Sequence, residues 1–278
     1  MVIGRWEFRM ALIDINAHIG QWPYWPVPDT SPSALVRRMD RLGIDAAAVA
    51  SLRGVFSDWR AGNDETLEAA RRHPGRIIPF AILGPTGGWS GAEVAILAGS
   101  GFRGIRLHPL FHSYALTDPV LHNVCEVAGQ YGLPVVLPTR PMMNWRFATV
   151  PVEGFQALAG AHPRTSFLLS GPNYLGEAQA AARCLRECRN VRIEISCLQG
   201  FDAVGRMADE FGADRVLFGT GAPLHAAACN TEKFLHARLN RSARAAVGWE
   251  NALRLCGLKS LADTKRIPRK GGRPPRPV

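Results

Sequence analysis

Leu12-Ile13-Asp14-Ile15-Asn16-Ala17-His18-Ile19-Gly20 is the stretch on which the reading of this chain turns. Polar and apolar residues alternate with a period of two, as in a strand. Asp14, Asn16 and His18 then share one face, while Ile13 and Ile15 point the other way. A second such stretch lies near the other end: Val216-Leu217-Phe218-Gly219-Thr220-Gly221-Ala222-Pro223. Both are short, β-rich and closed by glycine or proline, and each is followed by a helical pattern.

Working outward, the same unit repeats along the chain. Strands are expected at 11–18, 46–51, 77–83, 104–109, 134–138, 166–170, 191–196 and 215–220. Helical periodicity fills the gaps near 31–42, 63–73, 90–99, 119–131, 152–161, 175–188 and 200–212, and continues at 230–239, 242–246 and 249–255. Parallel strands need crossovers of about a dozen residues, and these helices supply them. Ser31 before Pro32 reads as a cap followed by a first-turn proline. Gly43, Gly101, Gly132 and Gly212 each end a helical run and lead into a strand. Eight β/α alternations point to a single (β/α)8 barrel of the α/β class. The expected organisation is an N-terminal extension over 1–10, the barrel over 11–260 and a tail over 261–278.

Strand parity separates interior from helix-facing positions. Arg106 and His108 share a face of the fourth strand; Arg192, Glu194 and Ser196 share one of the seventh. Buried charges are costly unless paired. Arg106 and Glu194, joined by Asp14, are therefore expected to form an interior ion-pair network. At the C-terminal mouth the sequence places His18, His108, Arg140 and Asn173, with His112 and His225 on adjoining loops. Trp22, Trp25 and Trp145 fall in loops that rim this mouth, and the aromatic, proline-rich run 21–28 reads as a stiff lid over a flat ligand. Arg140 suits a carboxylate held through two parallel hydrogen bonds.

The pieces IDINAH (13–18), GFRGIRLHP (101–109), GLPVVLPTR (132–140), DRVLFGTGAP (214–223) and WENALRLCGL (249–258), in this order, resemble the amidohydrolase-related family over roughly residues 11–258. The resemblance implies a TIM-like barrel and hydrolase or decarboxylase chemistry on a small carboxylate or carbonyl compound. It also implies one divalent metal, often zinc. Its ligands would be a His-x-His pair on strand 1, histidines on strands 5 and 6, and an aspartate on strand 8 that doubles as general base. Those positions fall here at Asn16 and His18, at Pro138, at Ser170 or Gly171, and at Gly221. Only His18 remains an ordinary metal ligand, whereas a catalytic zinc takes three protein ligands. The expectation is a site without the standard metal, with zinc as the less favoured alternative. His18 or His108 would serve as general acid or base. Arg140, with Asn16, Trp22, Trp25 and Asn173, would hold the substrate. A rebuilt site using His18, His108, His112 and Cys197 is a further alternative. A barrel that binds a small molecule or a protein partner without catalysis explains the replaced positions more simply. The related barrels also imply a homodimer.

Composition narrows the rest. The formal net charge is +10, yet six basic residues and no acidic ones lie in 264–278, beside four prolines and two glycines. That stretch is expected to be a disordered, solvated tail. A nucleic-acid role is not expected, because no recognition motif accompanies the charge. No apolar run approaches the roughly 20 residues of a membrane span. Residues 1–10 carry charges and no apolar h-region, so no export signal is expected. The six cysteines fall within periodic apolar segments, which fits reduced thiols and a cytoplasmic protein.

Overall fold

The computed structural model describes residues 10–85, 88–140, 148–173 and 175–265. The extension through residue 9, Trp145 and the tail from residue 266 lie outside the described residues. Among the described residues nine strands run β1 Ile13–Ile19, β2 Ala46–Ser51, β3 Ile77–Pro79, β4 Ala81–Ile82, β5 Ile105–Arg106, β6 Val135–Pro138, β7 Phe167–Ser170, β8 Val191–Glu194 and β9 Val216–Leu217. Each pairs in parallel with the next within the ladders β1-β2-β3 and β4 to β9. β3 and β4 are two halves of one barrel strand parted at Phe80, whose N–H donates to Val49 O at 2.9 Å. The ring closes where Ile15 N donates to Phe218 O (2.9 Å), His18 N to Ala222 O (2.7 Å) and Gly221 N to Asn16 O (2.7 Å). The expected eight-stranded barrel is therefore present, with helices on its outside.

β1 carries one extra residue against β2: Asp14 pairs with Ala47, but Ala17 pairs with Val49. This bulge frees the backbone around Asn16 from the β2 ladder, and Asn16 N turns to Asp14 Oδ1 at 2.9 Å. Bulges commonly re-aim side chains beside functional sites, and here the re-aimed side chain is Asn16.

Local chemistry accounts for where element ends depart from expectation. The helix expected at 63–73 begins earlier, at Trp59, because the Asp58 carboxylate accepts from Arg60 N and Ala61 N. Two short helices, Leu52–Phe56 and Pro109–His112, lie in βα loops where no helix was expected, and the second begins at Pro109, inside the strand expected at 104–109. The helices expected at 242–246 and 249–255 form one run, joined by a π-turn over Ala246–Glu250. Among the described residues no helix is long and apolar enough to cross a membrane. All six cysteines are free thiols, and only Cys229 is exposed.

The helix Leu52–Phe56 matters because it walls the mouth of the barrel, and two glycines seat it. A Cβ on Gly62 of the neighbouring helix would lie 2.3 Å from Gly54 N and 2.6 Å from Gly54 Cα. Backbone cannot rotate aside, so the short helix must shift. Gly62→Ala is expected to cost about 2–3 kcal/mol of stability, although alanine is the better helix former. The matched control is Gly160→Ala in helix Val152–Ala161, where nothing lies within 4 Å of the added atom. It should be neutral or slightly stabilising. Urea unfolding of the pair decides: equal stabilities would mean that the short helix yields without cost.

Candidate active site

The interior of the barrel is polar on one level and connected across it. Asn16 Nδ2 donates to Glu194 Oε1 (3.1 Å), Ser196 Oγ (3.2 Å) and Ser170 Oγ (3.3 Å), while Asn16 Oδ1 accepts from Arg106 Nη1 at 2.7 Å. Glu194 is fully buried and also accepts from Ser170 Oγ (2.5 Å), Ser196 Oγ (2.7 Å) and Ser196 N (2.6 Å). Arg106 and Glu194 form no ion pair. The carboxamide of Asn16 stands between them, donating to one and accepting from the other. Charge pairing across the barrel is thus mediated rather than direct, and both polar atoms of Asn16 are engaged. Asp14 sits below, accepting from Asn16 N, Thr220 N and Thr220 Oγ1.

Above this layer, His18, Arg106, His108, Arg140, Cys197 and His225 line one cavity, beneath Trp22 and Phe56. The geometry settles one tautomer. A guanidinium only donates, and Arg106 Nη1 lies 3.2 Å from His18 Nε2. Nε2 therefore accepts, and the ring proton of neutral His18 is on Nδ1. Burial lowers the pKa of His18 well below the ordinary histidine value, and the Arg106 charge adds to this. His108 is lowered well below it too, again by burial first and then by His112 and Arg106. In this wall His18 Nδ1, His108 Nε2 and Arg106 Nε are buried polar atoms with no hydrogen-bond partner among the described residues. Unpaired buried groups are costly, so native structures keep them where something else satisfies them. Cys197 is an unsuitable nucleophile, because burial pushes its thiol up to about 12.

Of the other expected site residues, Arg140 and Trp22 line the cavity and His112 and Asn173 do not. His112 turns into the wall, with Nε2 at 3.2 Å from Gly54 O and 3.1 Å from Val55 O. Asn173 is buried beside the mouth without lining the cavity, and its N–H donates to Glu177 Oε2 at 2.8 Å. Arg140 lines the cavity and pairs with Glu177. Trp22 is buried in the wall, whereas Trp25 is 38% exposed on the outer side of the same cluster. Trp22 packs edge-on against Trp25 (5.2 Å between centroids) and Phe56 (5.3 Å), and Phe56 against Phe111 (4.9 Å). The cavity volume is about 20 Å³, room for a water or two, so any larger ligand requires Trp22 or Phe56 to move.

The sequence reading missed Leu52, Val55, Phe56 and Leu224, which line the same cavity. A signal existed for the first three: they directly follow β2, and the loops after barrel strands build the mouth. It missed Lys233 as well, whose ammonium donates to Ile195 O (2.7 Å) and Leu198 O (2.8 Å) and ties the β8 loop down.

The amidohydrolase family model matches residues 13–258 of the chain. No curated protein matches it. Among solved structures, 2,6-dihydroxybenzoate decarboxylase from Rhizobium is 17% identical with TM-score 0.67, over 90% of this chain and all of that one. A putative 2-pyrone-4,6-dicarboxylic acid hydrolase from Pseudomonas putida is 20% identical with TM-score 0.70, over 90% of this chain and 99% of that one. A dihydroxybenzoic acid decarboxylase from a Polaromonas species, solved with manganese and the inhibitor 2-nitroresorcinol, is 17% identical with TM-score 0.70, over 92% and 99%. At these identities the likeness concerns the fold.

Among the described residues, no group of three His, Cys, Asp or Glu side chains is placed to hold a metal ion.

Proposed function

The chain belongs to the amidohydrolase family, and from that premise we propose an enzyme that acts on a small carboxylate or carbonyl compound without the family's usual metal. One observation carries the reading. His18, His108 and Arg106 bring unspent polar atoms to a single cavity at the C-terminal mouth, which Arg140 also lines. In such barrels that end of the strands is where chemistry is done.

The roles follow from donors and acceptors. Arg140 orients an anionic substrate. His18 offers Nδ1–H to the oxygen on which charge develops; its Nε2 is spent on Arg106. His108 has Nε2 without a partner and is held neutral by burial; with its ring proton on Nδ1 it serves as the proton acceptor. A neutral acceptor suits activation of water, as in hydrolysis, better than protonation of a carbon that loses CO2. Hydrolysis is accordingly the favoured reaction and decarboxylation the alternative. A second reading, a barrel that binds without catalysis, is supported by the self-satisfied cluster of Asn16, Ser170, Glu194 and Ser196.

The test is turnover by chelator-treated protein on a panel of small lactones, pyrone carboxylates and hydroxybenzoates. Activity on one member is expected, falling about 10²-fold in His108→Ala. Binding of a panel member with no turnover, or activity indifferent to His108→Ala, would replace this reading with the non-catalytic one.

A further inference from the structure

A resident metal needs several unshared lone pairs aimed at one point, and this barrel has assigned them elsewhere. Gly221 adopts φ +70°, and a Cβ there would lie 2.5 Å from His225 Nδ1. Gly171 adopts φ +99°, and its Cβ would lie 2.6 Å from Thr139 Oγ1. Neither position accepts a side-chain donor without rearrangement. Pro138 offers none, and Ser170 Oγ donates to Glu194. At the positions where the family resemblance places metal ligands, the donors that remain are Asn16 Oδ1 and His18 Nε2, and both face the same Arg106 nitrogen, at 2.7 and 3.2 Å.

We propose that the guanidinium of Arg106 takes the place of a divalent metal as the fixed cation of this barrel, and that it draws a carboxylate ligand to the cavity. The inference deepens the proposed function and rests on its site. Four of the five N–H groups of Arg106 are used, on Asn16 Oδ1, His18 Nε2, Ile15 O (3.1 Å) and Ala48 O (3.2 Å). All four acceptors are neutral, and the carboxyl groups of Asp14 and Glu194 favour the charged form from a distance, without contact. The fifth, Nε–H, has no partner among the described residues. Burial lowers the pKa of Arg106 to about 10, which leaves it cationic at neutral pH. A guanidinium cannot ligate an oxygen as a metal does, but it offers charge and a directed N–H. It also repels a second cation from the two β1 donors.

Two titrations of the full chain test this, neither of which reads activity. Mn2+ alone, added to chelator-treated wild type and followed by electron paramagnetic resonance, should find no stoichiometric site. Benzoate, followed by calorimetry, should bind wild type, bind at least tenfold more weakly to Arg106→Met, and be partly restored in Arg106→Lys. One equivalent of Mn2+ that is lost in His18→Ala overturns the proposal. So does failure of benzoate to bind wild type, or equal benzoate affinity in Arg106→Met. Should Arg106→Met fail to fold, the Mn2+ titration still decides, together with the imidazole 15N shifts of His18. Those shifts should report the neutral Nδ1–H form. A protein that passes these tests but turns nothing over loses the proposed activity and keeps this cation. A protein that turns substrate over with Mn2+ at His18 loses this cation and keeps the activity.

Discussion

Glu194→Ala is expected to destabilise the protein by about 3–5 kcal/mol, the range for breaking a buried charged network by removing one member. Four donors converge on this carboxyl group: Asn16 Nδ2, Ser170 Oγ, Ser196 Oγ and Ser196 N. All belong to buried residues, and alanine would leave Ser170 Oγ, Ser196 Oγ and Ser196 N short of an acceptor. The Asn16 carboxamide would also lose one of the three acceptors that orient it toward Arg106. Glu194→Gln keeps one carbonyl oxygen and should cost about half as much. Gly219 shows how little slack the cluster has: a Cβ there would lie 2.3 Å from Glu194 Oε2. Urea unfolding at neutral pH measures the difference. A loss below about 1 kcal/mol for Glu194→Ala would mean that water replaces the carboxyl group, and that the interior is wetter than its burial implies.

The second large effect is a dependence of stability on pH carried by Asp14. Burial raises its pKa from 3.8 to about 7, against the lowering effect of hydrogen bonds from Thr220 and from Asn16 N. The folded protein therefore holds this proton more tightly than the unfolded chain does. The contribution of Asp14 to stability is full below about 3.8 and is lost as the pH rises toward about 7. At about 1.4 kcal/mol per pH unit, the loss is at most about 4 kcal/mol. Asp14→Asn removes the titration. The stability of wild type relative to this variant should therefore fall between about pH 4 and pH 7, then level off. Denaturant unfolding of both proteins at several pH values gives the curve. A constant difference would show that Asp14 titrates alike in the folded and unfolded chains.

Both effects arise in a layer only partly legible in the sequence. Alternation along residues 12–20 put Asp14, Asn16 and His18 on one face, and alternation on the fourth and seventh strands did the same for Arg106 and Glu194. That these residues are buried together follows from the period of two and the closure of the barrel. That Arg106 and Glu194 meet through Asn16 rather than directly does not follow. The bulge in β1 decides it, because it shifts Asn16 by one residue against β2. The short helix Leu52–Phe56 escaped notice for a different reason. Five residues are too few for a helical period to show, and the contact of Gly54 with Gly62 leaves no mark on either segment alone.

What the sequence by itself determined is the barrel, with His18, His108 and Arg140 brought to its mouth. Strand and helix periods are local, and eight repeats of one local unit admit one architecture. What only the tertiary structure decided is which lone pair and which N–H are spent. Asn16 meets Glu194 across 178 positions and Arg106 meets His18 across 88. A hydrogen bond depends on tenths of an ångström between such distant residues. Those distances commit His18 Nε2 to a guanidinium, leave His108 Nε2 unspent and close Trp22 over a cavity of about 20 Å³.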